Sequence, residues 1–113
     1  MSDRRKELRE QYKTRKVVGG VYRVLNTETG KFLLQRTDDM QSAHNHLSFS
    51  KSTGSCLQPP LQEDWARYGA GAFIIEELEL LEKKAEQTDR EFREDLDVLL
   101  EYWDEKLPRD ERY

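Results

Sequence analysis

Two short segments of strand-forming residues, Val21-Tyr22-Arg23-Val24-Leu25 and Lys31-Phe32-Leu33-Leu34-Gln35-Arg36, flank the sequence Asn26-Thr27-Glu28-Thr29-Gly30. This spacing predicts a β-hairpin over residues 20–37. β-Branched and aromatic side chains suit a pleated, half-buried surface, and Gly30 supplies a turn position where φ is positive. Gly19-Gly20 separates the first strand from whatever precedes it, and the unbroken apolar run of the second strand predicts burial on both of its faces.

The remaining segments place helices and one more strand around this hairpin. Residues 3–16 predict a helix with Asp3 as N-cap and a thin apolar stripe of Leu8 and Tyr12 at i,i+4. Asp38 or Asp39 can cap a helix over residues 40–49, and residues 50–60 read as a loop. A short helix over residues 61–68 is closed by Gly69 in a position typical of a C-cap. Residues 72–78 predict a third strand. Thr88-Asp89-Arg90-Glu91 is a capping box, and the helix it starts carries Phe92, Leu96, Leu99, Trp103 and Leu107 on one stripe until Pro108 ends it. The order α-β-β-α-α-β-α predicts an α+β domain: a small three-stranded antiparallel sheet with flanking helices, packed as one pair of layers.

Length and charge bound the function. The 113 residues suit one domain with one modest core. The single cysteine, Cys56, allows no internal disulfide and suits a reduced, cytoplasmic setting. No apolar run approaches the roughly 18 residues of a membrane span, and no h-region follows the basic start, so a soluble protein is expected. The net charge of −4 is unevenly spread. Residues 1–16 carry +4, residues 17–75 are balanced, and residues 76–113 carry −8. Nucleic-acid binding by phosphate neutralisation calls for a basic surface, and only the first helix offers one: Arg5, Arg9 and Lys13 or Lys16 recur on one face.

Several of these residues together resemble a known family. Gly20-Val21-Tyr22 is followed after ten residues by a short apolar strand. The turn between them has the form Asn26-x-x-x-Gly30-Lys31, and a short helix later leads into Tyr68-Gly69-x-x-x-Phe73. In this order they resemble a GIY-YIG nuclease domain over roughly residues 17–107, preceded by the basic helix of residues 1–16 and followed by a short tail of residues 108–113. The resemblance implies a GIY-YIG-like fold and, in members that cut, metal-assisted hydrolysis of DNA. In those members the first-motif tyrosine helps activate water and a second-motif tyrosine assists. An arginine on the first core helix meets developing phosphate charge, and a glutamate on the last helix holds one divalent ion, Mg²⁺ or Mn²⁺. Carried over position by position, Tyr22 matches the first tyrosine. Leu33 falls on the second, or Phe32 if the register shifts by one. Ala43 falls on the arginine and Leu100 on the glutamate. Glu101 is one residue away, which turns a helical side chain by about 100°.

The resemblance therefore implies a nuclease-family protein that is catalytically degenerate and retains nucleic-acid binding, with DNA or RNA as partner. Two alternatives stay open: an active endonuclease using Tyr22 and a Glu101-bound metal, and an intracellular interaction or regulatory module whose acidic last third meets a basic protein. Plainer readings accompany the named residues. Tyr22 suits a packed strand position, and Glu101 suits a solvated helix face. His44 and His46, at i,i+2, cannot share an ion across one helix face. Glu76 and Glu77 point to opposite sides of a strand, and Cys56 has no motif around it.

Overall fold

The predicted hairpin forms the middle and one edge of the sheet. A computed structural model of the chain describes residues 17–56 and 58–113, so the expected helix of residues 3–16, with Arg5, Arg9, Lys13 and Lys16, lies outside the described residues. Strand β1 (Val18–Asn26) is central; β2 (Phe32–Thr37) and β3 (Phe73–Glu82) pair with it antiparallel on either side. Three helices follow the expected order: α1 (Met40–Thr53), α2 (Gln62–Tyr68) and α3 (Asp89–Lys106).

The turn chemistry works as the residues require. The Asn26 amide donates to the Lys31 carbonyl at 2.8 Å, and the Asn26 side-chain oxygen accepts from the Glu28 amide at 2.9 Å. Gly30 adopts φ 80°. Asp39, and not Asp38, caps α1 by accepting from the Ser42 amide. This helix runs to Thr53, past the expected end at Phe49, and stops at Gly54, whose φ of 75° terminates it. The Thr88–Glu91 capping box at the start of α3 is complete in both directions.

Strand β3 is longer than expected and contains a bulge. Val21 pairs with Glu79 while Tyr22 pairs with Glu77, so Leu78 is an extra residue on β3. The bulge resets which side chains face which side, and the pairing continues to Glu82 opposite Val18.

The sheet is covered on both faces, so the expected single pair of layers is corrected to three layers. Tyr22, Val24, Met40, Leu61, Trp65, Ala72 and Phe73 form one core between the sheet and α1 and α2. Trp65 stacks on Phe73 with ring centroids 5.1 Å apart. Val21 and Phe32, on the opposite face, are fully buried on the α3 side, where Phe92 and Leu96 are buried too. Arg36 forms an ion pair with Asp97 of α3, and the Trp103 ring N–H donates to Glu79 at 2.9 Å. Antiparallel sheets often leave one face wet. Here neighbouring positions of β1, Val21 and Tyr22, are both apolar and both buried, so each face needs its own cover.

Residues 109–113 return to the sheet. Arg112 bridges Phe32 in parallel, with the Phe32 amide donating to the Glu111 carbonyl at 2.8 Å and the Tyr113 amide donating to the Phe32 carbonyl at 3.0 Å.

Candidate functional site

Tyr22 sits at the middle of β1, between Gln35 on β2 and Glu77 on β3, and its side chain is 7% exposed. Its hydroxyl makes no hydrogen bond to a described residue. Burial raises its pKa above the ordinary 10.0, so the phenol keeps its proton at neutral pH. A group whose folded pKa is raised contributes stability below the unfolded value and loses it as pH climbs through the folded value. Phenolate absorbance is therefore expected to show one tyrosine, missing in Tyr22→Phe, titrating above pH 10. The urea midpoint of the native protein should fall over the same range by more than that of the variant. Ordinary titration at 10 in the folded protein would show that the hydroxyl is open to water.

Beside Tyr22 on the same face, His44 of α1 meets Glu77: the His44 Nε2–H donates to Glu77 Oε1 at 2.7 Å. An ionised carboxylate only accepts, so this contact sets the tautomer and leaves Nδ1 as the free ring nitrogen when the imidazole is neutral. The pair borders a cleft of about 280 Å³ lined also by Val18, Asp39, Met40 and Leu80. Residue types alone could not bring these two together, because they lie 33 positions apart. The available signal is strand alternation, which puts Glu76 and Glu77 on opposite faces. Glu76 receives Arg23 at 3.1 Å on the α3 side, and Glu77 receives His44 on the other. His46 is exposed and points elsewhere.

The positions flanking Tyr22 are apolar. Leu33, opposite Val24 on β2, and Ala43 on α1 both pack against the core cluster that contains Tyr22. Neither side chain can donate a hydrogen bond or carry charge.

Glu101 is exposed on α3, the helix packed against the other face of the sheet from Tyr22. It lines a second cleft, of about 360 Å³, with Leu34, Leu100, Asp104, Arg112 and Tyr113. A magnesium ion can use one or two carboxylates and several waters. Asp104, one turn from Glu101, is already engaged by Arg112 and lies near Arg109. Among the described residues no three metal-ligating side chains gather anywhere. The residues around Glu101 thus make a poor divalent site, and the structure does not bring Glu101 to Tyr22.

A polar network that the sequence did not single out joins Asn26, Asp64 and Tyr113. The fully buried Asn26 donates to the Tyr113 hydroxyl at 2.9 Å, and that hydroxyl donates to Asp64 at 2.8 Å. It ties the hairpin turn, α2 and the returning tail together. Cys56 is half-buried, its thiol directed to the Gln58 carbonyl at 3.2 Å.

Among the described residues no helix is long and apolar enough to cross a membrane. No family model matches the sequence, and no curated protein matches it. Solved structures do share the fold. A point mutant of the catalytic domain of intron endonuclease I-TevI superposes with a TM-score of 0.60 at 18% identity, covering 85% of this chain and 91% of that one. The catalytic domain of homing endonuclease I-TevI superposes with a TM-score of 0.54 at 19% identity, covering 84% and 95%. This chain therefore shares the fold of those domains, an α+β sheet-and-helix arrangement in the order β-β-α-α-β-α.

Proposed function

We propose that this chain is a catalytically degenerate relative of the GIY-YIG nucleases that keeps the scaffold and binds nucleic acid. The observation that carries this reading is the packing of Leu33 and Ala43 against the cluster that holds Tyr22. An endonuclease-like fold with apolar side chains at those two positions lacks a hydroxyl and a cation where cleavage needs them. Each loss of a positioned donor or cation commonly costs about 10²–10³ in rate. Tyr22 is the remnant of the old site, and its raised pKa suits a structural phenol better than a base. In this reading residues 1–16 form a basic helix leading a nuclease-type domain of residues 17–107, with Arg5, Arg9, Lys13 and Lys16 contacting phosphates.

The alternative of an active endonuclease rests on Tyr22 and on a metal held by Glu101, which the separation of the two residues disfavours. A plasmid incubated with the protein and Mg²⁺ or Mn²⁺ is expected to stay supercoiled. Nicking that disappears in Tyr22→Phe would overturn the degenerate reading. Binding to a duplex oligonucleotide is expected at low salt and should weaken steeply as salt rises. Arg5→Ala/Arg9→Ala should flatten the log–log salt slope by about 2. Absence of binding at low salt would remove nucleic acid and leave the interaction-module reading.

A further inference from the structure

The polar side chains around the cleft between the start of α1 and β3 offer acceptors far more than donors. The His44 Nε2–H is spent on Glu77 at 2.7 Å, which leaves Nδ1 of the neutral ring as an acceptor. Gln41, on the same wall, donates through its side-chain nitrogen to Asn45 Oδ1 at 3.1 Å and keeps its carbonyl oxygen as an acceptor. Asp39 and Glu77 are carboxylates with about four acceptor sites each. The Ser42 amide takes one on Asp39, and His44 takes one on Glu77. Val18, Met40 and Leu80 add apolar surface to a cleft of about 280 Å³.

A ligand for this wall must bring donors. Met40 and Gln41 also stand in the first turn of α1, where amides have no carbonyl within the helix to bond, so the ligand gains from an acceptor beside its donors. Among the nucleobases guanine has an edge of that form: O6 accepts, and N1–H and N2–H₂ donate next to it. Adenine and cytosine place one donor beside an acceptor, and uracil and thymine set one N–H between two carbonyls. A guanidinium or ammonium ion has donors but no acceptor. Phosphate is repelled by Asp39 and Glu77, so the backbone stays outside the cleft. The guanine must be unpaired, because a duplex occupies the same edge.

We propose that this cleft takes the edge of an unpaired guanine in single-stranded DNA or RNA. Asp39 and Glu77 accept from N1–H and N2–H₂, Glu77 holds His44 in its tautomer, and Val18, Met40 and Leu80 lie against the ring. The inference rests on the reading of the protein as a nucleic-acid binder, and it adds a base preference to a phosphate grip that has none.

The test titrates the full chain with thymidine hexanucleotides carrying one central guanine, hypoxanthine or adenine. The guanine strand is expected to bind about tenfold more tightly than the hypoxanthine strand, which lacks only N2–H₂, the size of one hydrogen bond to a charged acceptor. Free guanosine should move the His44 ring signals in NMR, and inosine should move them much less. Asp39→Asn keeps the helix cap, since asparagine caps as well as aspartate, and Glu77→Gln keeps the length of the side chain. Each should shrink the guanine preference, and a duplex with its guanine paired should show none. Equal affinity whatever the central base overturns this inference alone and leaves nucleic-acid binding standing. Guanosine moving His44 in a protein that binds no oligonucleotide keeps the cleft and removes the phosphate grip. A preference intact in both variants overturns the proposal. So does occupation of the cleft in the free protein by residues 1–16, or an arginine amide that moves His44 as far as guanosine does.

Discussion

Gly20→Ala is expected to destabilise the folded domain by about 3 kcal/mol or more, a large part of the roughly 5–15 kcal/mol that such a domain has. A Cβ on Gly20 would sit 2.0 Å from the Glu79 carbonyl oxygen and 3.1 Å from the Leu80 Cα. Both are backbone atoms of β3, held in the ladder next to the bulge, so they cannot swing aside as a flexible side chain would. The φ of Gly20, 155°, adds to the cost for any L side chain. The clash can be relieved only by prising β3 from the central strand. The control is Gly71→Ala, where an added Cβ meets nothing within 4 Å. Urea unfolding of the two variants should separate them clearly, and a Gly20→Ala loss as small as that of Gly71→Ala would mean that β1 and β3 do not approach this closely.

Phe32→Ala should cost about 3–5 kcal/mol, the range for deleting a buried aromatic ring. Phe32 has no exposed surface. The Arg23 guanidinium lies over its ring at 5.0 Å and that of Arg112 at 5.7 Å. The Nε atoms of both arginines are buried without a hydrogen-bond partner, so the ring face is part of what holds these cations where they are. Removing it leaves a cavity and takes away the face on which both guanidiniums pack, while Glu76 and Asp104 still pair their charges. Phe32→Leu keeps much of the apolar volume and loses the aromatic face, so it should fall between the native protein and Phe32→Ala. The Tyr113 amide should also exchange faster in Phe32→Ala, because the tail is anchored on this residue through Arg112 as well as through its backbone. A loss below about 1 kcal/mol, with Tyr113 still protected, would show that the ring is not what joins β2, α3 and the tail.

Local chemistry made much of this fold legible. Asn26 and Gly30 specify a turn whatever surrounds them, because one bonds its own backbone and the other accepts positive φ. Thr88 and Glu91 start α3 by bonding each other's backbone within a single turn. The Phe92 and Leu96 stripe was readable as a core face for the same reason: helical period is local. Tyr22 was readable both as the first-motif tyrosine of the resemblance and as a packed residue, and its burial agrees with the second. The absence of useful groups at Leu33 and Ala43 was also legible, since residue identity settles it.

The rest required the folded chain. That Asp39 and not Asp38 caps α1, and that Leu78 bulges, depends on register, which two neighbouring strands set together. The three-layer arrangement follows from Val21 and Tyr22 both needing cover, and no single segment says which helix covers which. His44 meeting Glu77, the Asn26–Asp64–Tyr113 network and the tail pairing with Phe32 join residues 33 to 87 positions apart. The sequence by itself determined the turn, the Thr88–Glu91 capping box, the strand and helix periods, and the apolar character of Leu33 and Ala43, because each is decided within a few residues by backbone conformation or side-chain chemistry. Only the tertiary structure decided that Tyr22 and Glu101 lie against different faces of the sheet, and that the tail pairs with Phe32. Those facts depend on which surfaces meet when the chain closes on itself.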